Sequence, residues 1–85
     1  MRILGIDPGI ERVGIAVVER VNGKETYVYS ECFKTSAKLG HAERLALIGT
    51  EITKVIDEWA PAGMAIESIS RQPRTMDKRR MLFPL

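Results

Sequence analysis

The sequence is poor in the residues that many site chemistries require. Its 85 residues include one cysteine, one histidine, one tryptophan, two tyrosines and two phenylalanines. The single cysteine, Cys32, excludes an internal disulfide, which fits a reducing cytoplasm. Cys32 has no visible triad partner, so we interpret it as a small strand residue rather than a nucleophile. His41 precedes an apolar periodic segment and is interpreted as an exposed residue at a helix start, not a ligand.

Long apolar runs are missing as well. No stretch approaches the ~20 residues of a membrane-spanning helix, and the N-terminus lacks the pattern of a signal peptide. We therefore expect no membrane partner and a cytoplasmic location. The length allows one domain, and a chain this short buries only somewhat over ~60% of its unfolded surface. A single core is then marginal, which leaves room for a partner or a further segment.

Charge is unevenly distributed along the chain. Residues 1–70 contain 8 Lys/Arg and 10 Asp/Glu, whereas residues 71–85 contain 5 Lys/Arg and one acid. The net charge of +2 is therefore a property of the tail. A basic tail binds phosphate by counterion release; the alternative is a solvated, disordered tail.

The first half of the chain has the patterning of a three-stranded antiparallel meander. Arg2–Asp7 is a short apolar run typical of a buried strand, and Pro8-Gly9 ends it. Val13–Val18 is a second apolar run, and Thr26–Lys34 is rich in β-branched and aromatic residues. The dipeptide Asn22-Gly23 between them predicts a tight hairpin.

The second half changes from a period of 2 to a period of 3.6. His41–Trp59 has the spacing of an amphipathic helix, and Pro61 ends it. The residues predicted to form its core stripe are Leu45, Ile48, Ile52, Val55, Ile56 and Trp59. Gly63–Glu67 is a fourth strand, and the chain from Ser68 onward shows neither period. These features predict an α/β fold, with a domain over residues 1–67 and a basic tail over residues 68–85.

Two acids, Asp7 and Glu67, end two apolar strands. The helix between the strands is long enough to return the chain, so the fourth strand can lie parallel to the first and bring these acids side by side. Neighbouring carboxylates repel and a cation relieves the repulsion; oxygen ligands favour Mg²⁺ or Mn²⁺ over Zn²⁺. Such a pair is the beginning of a two-metal phosphodiesterase site. The alternative is a capped turn or a surface acid.

Several motifs resemble the opening of RuvC-type Holliday junction resolvases. The residues that carry the resemblance are Ile3-Leu4-Gly5-Ile6-Asp7-Pro8-Gly9, Val13-Gly14-Ile15-Ala16-Val17, Arg44-Leu45, Pro61 and Met64-Ala65-Ile66-Glu67. The resemblance covers the first 67 residues, about four fifths of the chain. The opening motif is shared with RuvX-type nucleases, and the later Ala-Ile-Glu favours RuvC.

The resemblance implies an RNase H-like fold with strand order 3-2-1-4-5. It also implies a homodimeric, Mg²⁺-dependent endonuclease that nicks two strands of a four-way DNA junction symmetrically, with water as nucleophile and a 5′-phosphate product. Asp7 and Glu67 fall on the first two catalytic, metal-binding positions of the family. The family works with the RuvA–RuvB branch-migration complex.

The tail departs from the family pattern. An aromatic pair and a helix usually follow the glutamate, whereas this chain continues with Ser68, Pro73 and basic residues. The remaining catalytic acids have no counterpart, and Asp77 does not replace them. We therefore expect a tail from a frameshifted or truncated gene, an exposed edge on the fourth strand, and a self-associating or poorly stable chain with weak or no activity.

Three other functions fit parts of the sequence. A RuvX-type nuclease shares the opening motif but typically lacks an acid at the position of Glu67. A non-catalytic nucleic-acid-binding module would use the basic tail. Actin-like ATPases also open with an Asp-containing strand and a glycine turn, but nothing here resembles their later phosphate loop.

Overall fold

A computed structural model describes residues 1–9, 11–69 and 78–85, and describes residues 67–69 and 78–83 by their backbone alone. Its elements are β1 (Arg2–Asp7), β2 (Arg12–Val21), β3 (Lys24–Lys34), α1 (His41–Trp59), β4 (Gly63–Ile69) and β5 (Lys78–Pro84). The predicted bounds of β1 and α1 are confirmed. The strands β2 and β3 are longer than predicted because their pairing continues to the hairpin turn. Asn22 and Gly23 form that turn with positive φ values of 52° and 77°.

The strands form one mixed sheet in the order β3-β2-β1-β4-β5. The strands β1, β2 and β3 pair antiparallel in sequence, with a register shift between Val17 and Val18. The strand β4 pairs parallel to β1. The meander, the long helix and the parallel fourth strand are therefore confirmed, as is the RNase H-like arrangement.

The tail contains a strand that the sequence patterning did not predict. The strand β5 pairs antiparallel along all of β4, from Gly63↔Pro84 to Ile69↔Lys78. The expectation that β4 is an exposed edge is therefore wrong. A strand that begins with three cations and ends with Pro84 has no clear alternation, but its backbone satisfies the free hydrogen-bonding groups of β4. The boundary at residues 67/68 stays a prediction, and Pro73 and Asp77 lie outside the described residues.

The helix α1 packs on one face of the sheet and forms the core with it. Alternate residues of β1 and β2 point toward this face, and Val55 is the helix residue most deeply buried against them. The buried apolar side chains of this core are Leu4, Ile6, Val13, Ile15, Val17 and Val55. The Arg2 guanidinium donates a 2.9 Å hydrogen bond to the Trp59 carbonyl and lies 5.6 Å from the centroid of its ring. These contacts join the end of the helix to the start of β1.

One member of the predicted core stripe lies outside the core. Leu45 is 51% exposed, whereas Ile48, Ile52, Ile56 and Trp59 pack against the buried cluster. A single helix on a sheet is covered only on the side that faces the strands, so a flanking apolar position stays in contact with solvent. Among the described residues, no helix is long and apolar enough to span a membrane.

Candidate acidic site at the ends of β1 and β4

Asp7 is the last residue of β1, and its side chain is exposed. The buried neighbours Leu4 and Ile6 face the helix, so the alternation of the strand places Asp7 on the opposite, open face. Its partner across the antiparallel ladder is Gly14. A Cβ added to Gly14 would lie 3.2 Å from the Asp7 Cβ. The missing side chain at Gly14 therefore keeps the space beside the carboxylate open.

Glu67 lies at the corresponding position of the neighbouring parallel strand. The register of β1 and β4 runs from Ile3↔Gly63 to Ile6↔Ile66, so the next residues along the two strands are Asp7 and Glu67. Alternation along β4 places Glu67 on the same face as Ala65, which pairs with Gly5. The register therefore agrees with the predicted neighbouring positions of the two acids, each of which follows the last residue of its strand in the β1–β4 pairing; their roles stay a prediction. Glu67 does not end β4, however, since the strand continues to Ile69.

The turn after Asp7 depends on a close backbone approach at Gly9. A Cβ at this position would lie 2.3 Å from the Arg12 carbonyl oxygen, a distance that side chains do not tolerate. The Thr35 N–H donates a 3.1 Å hydrogen bond to the Glu11 carbonyl and joins this turn to the segment before α1. Sequence reasoning identified a breaker at Pro8-Gly9 but not the contact that requires glycine.

A shallow cavity of about 450 Å³ lies on the open face beside Asp7. The part of its lining next to the carboxylate consists of small residues: Gly5, Gly14, Ala16 and Ala65. Small residues on three neighbouring strands leave the backbone accessible from this side. A second depression, of about 950 Å³, follows the outer face of α1 through Gly49 and Thr53 and is not lined by Asp7. The ends of parallel neighbouring strands are the common place for ligands in such sheets, so the cavity beside Asp7 is the relevant one.

The other residues weighed in the sequence take no part in this acidic pair. His41 is the exposed first residue of α1, which confirms the predicted helix start. Cys32 is exposed on β3 and pairs with Gly14, so Gly14 lies between it and Asp7. Both residues are therefore consistent with the interpretation of the sequence.

A second polar cluster lies on the helix-covered face of the sheet. The Tyr29 hydroxyl donates a hydrogen bond to Glu31 Oε2, and the Tyr29 ring lies 5.5 Å from that of Trp59. This hydrogen bond, together with burial and the negative charges of Glu31, Glu51 and Glu58, raises the pKa of Tyr29 to about 12. The phenol therefore stays protonated at neutral pH and acts as a donor inside the fold. This is a structural role away from Asp7.

The donor chemistry of the acidic pair suits a hard divalent cation. Both donors are carboxylates, which are ligands of Mg²⁺ and Mn²⁺. Gly14 keeps one side of Asp7 clear of any side chain. Within the described part of the chain, no group of three or more His, Cys, Asp or Glu residues is positioned to hold a metal ion. The pair can therefore supply part of a metal coordination sphere, with further ligands from other groups.

Comparison with known proteins gives a consistent result. The family model "Crossover junction endodeoxyribonuclease RuvC" matches residues 3–76. Curated proteins of that name are similar to the chain, from Finegoldia magna with 41% identity over 69 residues and from Roseiflexus sp. with 43% over 68 residues. These alignments cover 81% and 80% of this chain, but 42% and 40% of the two relatives. The chain therefore spans less than half the length of the curated relatives it matches.

Solved structures of the same kind resemble the fold. The chain is similar to T. thermophilus RuvC in complex with a Holliday junction substrate, with a TM-score of 0.75 and 32% identity over 85% of this chain and 46% of the other. A second Thermus thermophilus RuvC structure matches with a TM-score of 0.71 and 27% identity, over 91% of this chain and 49% of the other. The range that matches the family model includes both Asp7 and Glu67.

Proposed function

The chain belongs to the RuvC family of crossover junction endodeoxyribonucleases, and we propose that it carries half of an active site that cleaves four-way DNA junctions. The reaction is the hydrolysis of a phosphodiester bond in one strand of the junction. Family membership also sets aside the RuvX-type and ATPase alternatives. It supports a nuclease function over the alternative that the chain has the same fold but a different function.

The observation that carries this proposal is the parallel register of β1 and β4. It brings Asp7 and Glu67 to corresponding positions on one face of the sheet, and Gly14, across the ladder from Asp7, adds no side chain beside that carboxylate. Carboxylates in such an arrangement have a use in phosphodiester hydrolysis, since they bind cations that a phosphate also binds. If the two acids had only a structural role, they would not need to lie at corresponding positions of neighbouring strands.

The residues have distinct roles in this proposal. Asp7 and Glu67 would hold the cation, for which Mg²⁺ is the first choice and Mn²⁺ the second. A cation held there would supply positive charge for the phosphate oxygens and activate the attacking water. Gly9 allows the tight turn that follows Asp7, and this turn fixes the position of Asp7 at the end of β1. Further carboxylates come from outside the described acidic pair.

The partners follow from the same proposal. The DNA substrate is a four-way junction, the kind of substrate held by T. thermophilus RuvC in its solved complex. A homodimer would present two sites to the two strands that are nicked symmetrically, and the RuvA–RuvB complex would deliver the junction. We place this activity in the cytoplasm, with the DNA.

The experiment that tests the proposal is a cleavage assay on a four-way junction. The junction is assembled from four oligonucleotides with one labelled strand and incubated with the chain and MgCl₂ or MnCl₂. Asp7→Asn keeps the size of the side chain but removes its charge, so we expect the weak cleavage by the unsubstituted chain to fall to background, because a poorly held phosphate is badly positioned. Glu67→Gln should behave in the same way.

The matched control is Asp57→Asn, which removes one charge from the exposed surface of α1. It should cleave like the unsubstituted chain. Equal cleavage by the Asp7→Asn and Asp57→Asn variants would show that the acidic pair is not catalytic. Cleavage that persists in EDTA would contradict a metal-dependent site.

A non-catalytic junction-binding module is the second candidate. It is favoured by the small size of the acidic cluster, because the described residues contain no group of three or more His, Cys, Asp or Glu residues that could hold a metal ion. Its signature in the same assay is junction binding without cleavage, unchanged in affinity by Asp7→Asn.

A further inference from the structure

The strand β5 places a basic segment beside the acidic pair. It begins with three consecutive cations, Lys78, Arg79 and Arg80. Its antiparallel register pairs Ile69 with Lys78, Ser68 with Arg79 and Glu67 with Arg80. The basic end of β5 therefore adjoins the end of β4 that carries Glu67, and the apolar end adjoins the start of β4.

The register also assigns these cations to faces of the sheet. Directly opposed residues of an antiparallel ladder share a face, and successive residues alternate between faces. Arg80 is placed on the face of Glu67 and Asp7, and Lys78 is placed on that face two residues away. Arg79 is placed on the opposite face. Backbone pairing alone thus divides the three cations into two groups.

The cations of β5 offset the repulsion between the acidic pair and the phosphates of DNA. Residues 1–70 carry two more acids than bases, and the pair of carboxylates repels a DNA backbone. DNA-binding surfaces obtain most of their affinity from Lys and Arg that neutralise phosphates. The segment 71–85 holds five of the 13 Lys and Arg residues, and β5 brings three of them to the Glu67 end of the sheet.

We propose that Lys78 and Arg80 form a phosphate-binding part of the site, which holds the junction backbone next to Asp7 and Glu67. This inference rests on the proposed function for its substrate, and goes beyond it by assigning a binding role to a tail that departs from the family pattern. Arg79 belongs to the other face and contributes no phosphate contact there. The competing role for Arg80 is an internal counterion of Glu67, which would leave it unable to neutralise DNA.

The test measures binding without cleavage. A fluorescent four-way junction is titrated with the full chain in EDTA over a series of salt concentrations, and the slope of log affinity against log salt is compared between variants. Arg80→Gln and Lys78→Gln should each reduce the magnitude of the slope by about 1 and weaken binding at low salt. Arg80→Lys keeps the charge and should retain the slope.

Two controls distinguish the effect of the face on which a cation lies from the effect of losing one positive charge. Arg79→Gln removes a cation from the same strand, and Lys24→Gln removes one from the start of β3, next to the β2–β3 hairpin. Both should keep the slope of the unsubstituted chain. Far-UV circular dichroism of each variant verifies that β5 substitutions leave the fold intact. If Arg80→Gln unfolds the chain, the inference is tested by comparing the slopes of Lys78→Gln and Arg79→Gln.

Unchanged slopes for both Arg80→Gln and Lys78→Gln would overturn the inference, as would equal losses in Arg79→Gln. Absence of junction binding by the unsubstituted chain would also overturn it. The outcome is independent of catalysis, because EDTA prevents metal-dependent cleavage. A chain that shows the predicted slopes but never cleaves would retain this inference and lose the proposed nuclease activity.

Discussion

At the scale of single residues, two glycines shape the surroundings of Asp7 for different reasons. Gly14 leaves space across the ladder, where an added Cβ would lie 3.2 Å from the Asp7 Cβ. Gly9 allows the chain to fold back, where an added Cβ would lie 2.3 Å from the Arg12 carbonyl oxygen. The second contact involves backbone on both sides, so no side-chain rotation relieves it. In the Asp-Pro-Gly motif, glycine is thus required for steric reasons, whereas aspartate supplies the candidate metal ligand.

Gly9→Ala should destabilise the fold and displace the turn after Asp7. We expect a loss of roughly 1–3 kcal/mol in the free energy of unfolding, the range for substitutions that force the backbone to move. Urea unfolding followed by circular dichroism measures this, and the junction assay should show reduced cleavage.

Gly49→Ala is the matched control for that change. Gly49 lies within α1, and an added Cβ there meets nothing within 4 Å. Alanine favours a helix by about 0.8–1 kcal/mol over glycine, so this variant should be more stable than the unsubstituted chain. Stability losses of equal size in both variants would rule out the steric account of Gly9.

At the scale of elements, α1 and the sheet cover each other incompletely. The helix residues packed on the core are Ile48, Ile52, Val55, Ile56 and Trp59, whereas Leu45, at the flank of this stripe, is 51% exposed. The 3.6-residue period of the sequence identifies Leu45 as part of the apolar side of the helix, but it does not show what covers that residue. The flank therefore marks where the described fold has no further layer.

Leu4→Ala and Leu45→Ala should separate buried from merely apolar positions. Leu4 is fully buried, so its truncation should cost about 2–5 kcal/mol through lost burial and a cavity. Leu45→Ala should change stability by no more than about 0.5 kcal/mol, as for other surface substitutions. Chemical denaturation of both variants measures the difference. A large loss in Leu45→Ala would mean that another surface covers this flank in solution.

At the scale of the whole molecule, the described residues form a five-stranded sheet covered by one helix. The open face has a cavity beside Asp7, and Tyr27 on β3 is 74% exposed. Within the described residues, β3 lies at one end of the sheet and no strand pairs with its outer edge. Apolar surface and an open strand edge both favour association. In the described part of the chain, the open face of the sheet and the outer edge of β3 therefore have no covering layer.

We expect the purified chain to self-associate or to unfold at low denaturant concentration, since a core this small rarely supplies more than ~3–5 kcal/mol. Sedimentation velocity over a concentration series should show larger species as concentration rises. Val28→Lys, which adds a charge to the edge strand at a position 37% exposed, should shift the distribution toward monomer. A monomer that melts sharply at low concentration would contradict this expectation.

The sequence alone determined five of the six elements and identified two candidate site residues. A short apolar run defined β1 to the residue, the 3.6-residue period defined α1, and Asn22-Gly23 located the hairpin, because these signals arise from local backbone and burial preferences. An acid after each of two apolar runs identified Asp7 and Glu67, since a protein interior excludes isolated charge. The roles of both residues remain a prediction.

Tertiary structure decided what depends on distant partners. The strand β5 forms because β4 offers an unpaired edge, and no alternation in Lys78–Pro84 indicates that pairing. Leu45 has the period of a core residue but lacks a surface to pack on. The close approach at Gly9 and the register that sets Arg80 opposite Glu67 are likewise properties of two segments in contact. Local preferences can be read from one segment, whereas packing and pairing require both partners to be in place.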